Sequence, residues 1–242
     1  TAWGWRIPFV IGAILAVSAL FLRKNLSETD QFVSQSDPEE ARGTMAGLRN
    51  HKKEVFLVVG FTLGLTISYY TFTTYIQKFL VNTAGFSKSD STFTTLVTLV
   101  VFMLSQPVFG WLGDRYGRKP MMVIFGIAGT LCFFPLMKKL ETVETVQEAV
   151  VFIIIALLIL AVSTSISAIV KAELFPANVR SLGVSFPYAL TVAFFGGTAE
   201  YVALWFKNAG NADGFYYYLT ACMLITLVAS LLIPADRKRL HL

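Results

Sequence analysis

Gly110-Trp-Leu-Gly-Asp-Arg-Tyr-Gly-Arg-Lys119 is a short charged stretch between two uncharged apolar runs, 91–112 and 120–137. Each run approaches the roughly 20 apolar residues that a membrane-spanning helix needs. The stretch therefore reads as a tight loop joining two spans at a membrane surface. Gly110 and Gly113 would let helices approach closely, and Gly117 would allow a sharp turn. Asp114 can accept hydrogen bonds at a helix N-terminus, where the dipole favours an anion. Arg115 and Arg118 can pair with carboxylates in bidentate fashion. An ordinary cation-rich loop is the plainer alternative, and ten patterned residues argue against it.

The rest of the chain has the same character. Of 242 residues, 55% are hydrophobic and only 14% are charged, whereas a soluble domain carries about 25% charged residues. Seven long apolar runs stand out: 5–22, 55–81, 91–112, 120–137, 149–170, 182–206 and 214–234. Helices satisfy their own backbone hydrogen bonds in lipid, so such runs predict an all-α integral membrane bundle rather than a barrel. The first run is too long for a signal peptide and lacks a small-residue cleavage site. Cys132 and Cys222 both fall in apolar runs and predict buried free thiols.

Charge sets the expected orientation. Alternate loops carry 14 Lys and Arg on one face against five on the other, with Lys78 inside a run. The rich face, which includes segment 23–53 and the C-terminal tail 236–242, is expected in the cytoplasm. This bias accounts for the net charge of +5 without nucleic-acid binding. Segment 23–53 is polar and mixed in charge, which suits a linker rather than a core. A short surface helix is expected near 44–53. The layout is thus one helix, a linker, and a six-helix domain over 54–235. Because the chain starts at Thr1 rather than Met, it reads as a fragment whose upstream part is absent.

Gly110–Lys119 resembles the signature loop between helices eight and nine of the major facilitator superfamily. Glu173-Leu-Phe-Pro-Ala-Asn-Val-Arg180 is similar to that superfamily's E-x-x-P-x-x-x-R loop. The resemblance implies a C-terminal six-helix half plus the helix before it, with 5–22 as helix six. It makes Glu173 and Arg180 partners for the charges of Gly110–Lys119. Gly4-Trp-Arg-Ile-Pro-Phe9 is similar to the metabolite:proton symporter branch. Phe72-Thr-Thr-Tyr-Ile-Gln-Lys-Phe-Leu-Val-Asn-Thr-Ala-Gly85, Lys171-Ala-Glu-Leu-Phe-Pro176 and Gly196-Gly-Thr-Ala-Glu-Tyr-Val-Ala-Leu204 resemble its 2-oxoglutarate (α-ketoglutarate) carriers. The resemblance implies proton symport of that carboxylate across the bacterial inner membrane by alternating access, together with an N-terminal half. Citrate, another dicarboxylate, or a zwitterion of the branch stays open as substrate, as does an inactive half acting as an interaction subunit.

Candidate site residues follow from the run 55–81. At 100° per residue, Thr62, Thr66, Tyr69, Tyr70, Thr73 and Gln77 share an arc of about 100°. Their hydroxyl and amide groups can donate to carboxylate or keto oxygens, or they can hold helix to helix. Tyr69, Tyr70, Thr73 and Gln77 are the stronger substrate-binding candidates. Ser163, Ser167 and Lys171 are spaced by four on run 149–170. The two serines are cavity candidates, and Lys171 is an inner-gate or positive-inside residue. Gln106 and Pro107 are expected to end the run 91–112 with a kink. Lys78 either snorkels to the headgroups or adds charge to an external vestibule. Glu200 either carries the coupled proton or pairs with a neighbouring helix.

Enzyme chemistry finds no support. His51 and His241 both lie in polar segments, and no His, Cys and Asp set has metal-ligand spacing. No cofactor or metal is expected.

Overall fold

A computed structural model describes residues 3–24 and 45–234. The central part of the expected linker, 25–44, and the tail from 235 onward lie outside the described residues. The chain divides into two units, Thr1–Glu40 and Ala41–Leu242. In the first, α1 spans Ile7–Lys24, and its apolar section is the shorter stretch Phe9–Leu22.

The second unit is a helical bundle. After a single turn at Met45–Leu48 come six helices long and apolar enough to cross a membrane: α2 (Arg49–Asn82), α3 (Lys88–Tyr116), α4 (Arg118–Glu141), α5 (Val146–Glu173), α6 (Arg180–Asn208) and α7 (Ala212–Leu232). Local chemistry sets their ends. Ser87 caps α3 by accepting from the Asp90 N–H at 3.0 Å, and Thr145 caps α5 through the Glu148 N–H. In both, a serine or threonine stands three residues before an acid, which places a carboxylate in the positive first turn. Gly85 and Gly210, both at positive φ, turn the chain just beyond α2 and α6.

α7 packs against α2 and α4, α3 packs against α5, and α5 also meets α4. Small residues bring α2 and α7 together. Thr226 Oγ1 donates to the Gly60 carbonyl at 2.8 Å and accepts from the Gly64 N–H at 2.9 Å. A methyl group on Gly64 would stand 2.7 Å from the Cys222 carbonyl oxygen. Lipid supplies no hydrophobic drive between helices, so such close backbone contacts and interhelical hydrogen bonds hold the bundle. Phe72 and Phe133 fill the space between α2 and α4, with ring centroids 5.0 Å apart.

Three helices depart from the straight form that the residue spacing suggests. α2 carries a π-helical turn at Thr71–Tyr75, and α6 carries one at Val192–Gly196. α5 breaks at Ser165–Ile166, between Val146–Thr164 and Ser167–Glu173. The run 91–112 does not end at Gln106-Pro107: Pro107 stands inside α3, which continues to Tyr116. Gln106 accepts a hydrogen bond from Thr164 Oγ1 at 3.1 Å, so it joins α3 to α5. Cys222 is buried, whereas Cys132 is only partly so, and both are free.

Candidate functional site

The expected seven-residue loop at 113–119 shrinks to one residue. α3 runs through Tyr116 and α4 starts at Arg118, with Gly117 alone between them at φ +94°. That conformation is strained for any residue with a Cβ. Gly113 sits against Ile166, at the break in α5, where a methyl group would stand 2.6 Å from Cγ2. At Gly110 nothing among the described residues lies within 4 Å of a Cβ.

Arg118 is the centre of this junction. Its guanidinium forms an ion pair with Glu173 of α5, and its Nη2 lies 3.8 Å from Asp114 Oδ1. Glu173 is 7% exposed while Asp114 is 70% exposed, so the first contact is the structural one. Arg115 turns outward and stacks on Trp111 and Tyr116, 5.3 and 5.8 Å from the ring centroids. Arg180 Nε donates to the Phe175 carbonyl at 3.1 Å. Asp114, Arg118, Lys119 and Glu173 border a cleft of about 830 Å³.

The polar face of α2 is divided by its π turn. Thr62 and Thr66 lie before it and are buried. Tyr69 and Tyr70 meet edge to face at 5.9 Å, and the Tyr70 ring covers Gly196 of α6. The 100° ruler fails beyond Tyr70, because a π turn inserts about one extra residue into the helical register. Thr73 Oγ1 donates back to the Tyr69 carbonyl at 2.6 Å. Gln77 Nε2 donates to Thr92 Oγ1 of α3 at 3.0 Å. Tyr69, Tyr70 and Thr73 thus cluster at the bulge, while Gln77 stands one turn beyond it.

Lys78 does not reach away from the bundle. Its ammonium meets Glu200 Oε1 at 2.5 Å, and both residues follow a π turn of their own helix. Lys78, Gln77, Asn82, Lys88 and Thr92 line a neighbouring groove of about 300 Å³. Near that end Lys207 donates to the Asn82 carbonyl at 2.9 Å and to Thr83 Oγ1 at 3.0 Å.

Ser163, Ser167 and Lys171 do not form one continuous face, because the break at Ser165–Ile166 separates the first from the others. Ser163 is enclosed, with Oγ 3.5 Å from Met122 Sδ. Ser167 is nearly buried. Lys171 points into the bundle over the rings of Tyr188 and Phe61. Glu141, which the residue spacing does not single out, joins α4 to α7. It accepts from Tyr216 Oη at 2.7 Å and from Lys138 Nζ at 3.0 Å, and Lys138 also meets Asp213 at 2.6 Å. Partners 75 residues apart leave no local pattern. Among the described residues no three of His, Cys, Asp and Glu converge as metal ligands would.

Six spanning helices, a one-glycine hairpin clamped by an Arg–Glu pair, and polar side chains on interrupted helices define a multi-pass α-helical membrane protein. The family described as Major Facilitator Superfamily matches residues 1–199, and the chain belongs to it. It is 42% identical over 240 residues to the alpha-ketoglutarate permease of Escherichia coli (strain K12), a match covering 99% of this chain and 55% of that protein. It is 27% identical to a proline/betaine transporter of Salmonella typhimurium, over 98% of this chain and 49% of that one. It is also 27% identical to the citrate-proton symporter of Klebsiella pneumoniae, over 81% and 44%. The chain spans about half the length of these curated relatives. No solved structure matches it.

Proposed function

We propose that this chain is the C-terminal part of a secondary active transporter that carries 2-oxoglutarate with protons across the bacterial inner membrane. The observation that carries this reading is the 42% identity to an alpha-ketoglutarate permease over 99% of the chain. In this reading an N-terminal six-helix half completes the transport path, and the substrate lies between the halves near the midplane. The Gly117 hairpin, segment 23–53 and the tail face the cytoplasm, in keeping with the excess of Lys and Arg there.

Tyr69, Tyr70, Thr73 and Gln77 supply hydrogen-bond donors to the anion, and Glu200 couples its movement to a proton. Two features support these roles. The Tyr69–Tyr70 cluster stands at a π turn, a distortion found frequently at functional sites. Glu200 is held by an ammonium that a carboxylate substrate can compete for. Gly113, Asp114, Arg118 and Glu173 form the joint around which the half tilts during alternating access.

A second reading keeps the mechanism and changes the cargo to citrate or a zwitterion. It is favoured by the similarity to a citrate-proton symporter and a proline/betaine transporter. Uptake of radiolabelled 2-oxoglutarate into vesicles by the full-length transporter, with and without a proton gradient, separates the two. Gradient-driven uptake blocked by a protonophore supports the first. Uptake of citrate or proline, with none of 2-oxoglutarate, replaces it by the second.

A further inference from the structure

Lys171 is 4% exposed. Its ammonium lies 4.0 Å from the ring centroid of Tyr188 in α6 and 5.3 Å from that of Phe61 in α2. Among the described residues it has no carboxylate within 4 Å and forms no hydrogen bond. The carboxylate two residues on, Glu173, is already held by Arg118. Removing an ammonium from water costs several kcal/mol even after relaxation. A desolvated cation–π contact returns about 2 kcal/mol or more. Two rings at these distances offset part of the cost and leave the charge itself unanswered.

Lys171 stands in the last turn of α5, two residues before Glu173, and its stem carries the ammonium toward Phe61. Phe61 lies nine residues beyond Lys52, the first residue of the α-helical part of α2, or about 14 Å along the axis. Ionisable groups within a span face a cavity or a partner and mark the path of a solute. Thr62 Oγ1, on the residue after Phe61, is buried and has no hydrogen-bond partner among the described residues. Tyr188, which covers the ammonium, is itself 43% exposed, so turning its ring opens the cage from the outside of the bundle.

We propose that Lys171 is the cationic contact of this half for a carboxylate group of the transported anion, received in the Phe61–Tyr188 cage. The proposal rests on the reading of the protein as a carboxylate transporter. It answers a specific gap in that reading, since no arginine of the described bundle is buried whereas Lys171 is. The rings keep the ammonium desolvated and oriented, and an arriving carboxylate replaces a weak π contact with a full charge pair.

The test uses the full-length transporter and measures binding of 2-oxoglutarate and of its two monomethyl esters, each lacking one negative charge. In the wild type one ester binds at least tenfold more weakly than the dianion because it lacks the carboxylate that Lys171 meets. In Lys171→Met the dianion weakens at least tenfold and the discrimination against that ester disappears. Lys171→Arg keeps the discrimination. Because the substitution removes a buried charge, the apparent Tm of Lys171→Met stays level or rises. Wild-type discrimination in Lys171→Met overturns the proposal, and a fall in Tm with unchanged binding assigns Lys171 to an acid of the N-terminal half instead. If the wild type binds no 2-oxoglutarate, the proposed substrate fails. The inference is then decided with the carboxylate the wild type does carry, citrate or proline, against its methyl ester and with the same criteria.

Discussion

Lys78 and Glu200, 122 residues apart in the chain, meet at 2.5 Å just beyond the π turns of α2 and α6. The side chains are 56% and 34% exposed, so solvent screening limits the pair to about 1 kcal/mol or less of stability. A large effect on transport at this pair is then a functional effect. Glu200→Gln is expected to fold normally, to exchange substrate across the membrane, and to lose uphill accumulation driven by a proton gradient. Counterflow and gradient-driven uptake, run side by side, check this. Loss of both activities would mean that the pair shapes the bundle rather than couples it.

Arg118 holds Glu173 where water cannot. Arg118→Met leaves that carboxylate buried and unpaired, and breaking a buried pair from one side costs about 3–5 kcal/mol. The double variant Arg118→Met/Glu173→Met removes both charges and should recover most of the loss. Thermal unfolding in detergent of the two variants measures the difference. Equal destabilisation of both would show that the charges do not depend on each other.

Asp114 lies 3.8 Å from the same guanidinium but is 70% exposed. After discounting for that exposure, Asp114→Asn is expected to change stability by less than about 1 kcal/mol. Its transport rate should nevertheless fall well below wild type, because the proposed role is in tilting rather than folding. A wild-type rate removes Asp114 from the mechanism.

Gly64 tests the packing of α2 on α7. A Cβ there would meet Thr226 Oγ1 at 2.5 Å and the Cys222 carbonyl oxygen at 2.7 Å. A backbone oxygen cannot swing aside, so Gly64→Ala must part the helices, at about 1–3 kcal/mol. Gly197→Ala, with nothing within 4 Å among the described residues, is the control. It should be neutral or stabilising by up to about 1 kcal/mol, since alanine favours helix over glycine. Comparable losses in the two variants would argue against close packing as the cause.

The spans and the charged junction were legible because each leaves a local mark: an apolar run long enough to cross a bilayer, and ten patterned residues between two such runs. The family resemblance made Glu173 a partner for the charges of Gly110–Lys119 without naming which; the structure pairs it with Arg118. Lys78 with Glu200 and Glu141 with Tyr216 were not legible, since each depends on how distant helices pack. The π turns were hidden for another reason. Thr71–Tyr75 and Val192–Gly196 contain no proline, and their residues read as ordinary helix; the turns appear where Tyr70 and Thr66 crowd Gly196. A ruler of fixed pitch therefore placed Thr73 and Gln77 correctly on α2 and incorrectly in register with Thr62. Lys171 stands in the last turn of α5, as its position in the sequence suggests, but the placing of its ammonium over Phe61 and Tyr188 leaves no mark there.

Gly117 has a mechanical consequence. With one residue between Tyr116 and Arg118, α3 and α4 have no slack with which to slide independently. Gly113 seated on Ile166 and Arg118 clamped to Glu173 gear α5 to the same pivot. Three helices at this end are thus locked like teeth of one wheel. The π turns of α2 and α6 lie in the part of the bundle outside that gear train. In the proposed transport cycle, bending is expected there, against the Tyr70–Gly196 contact.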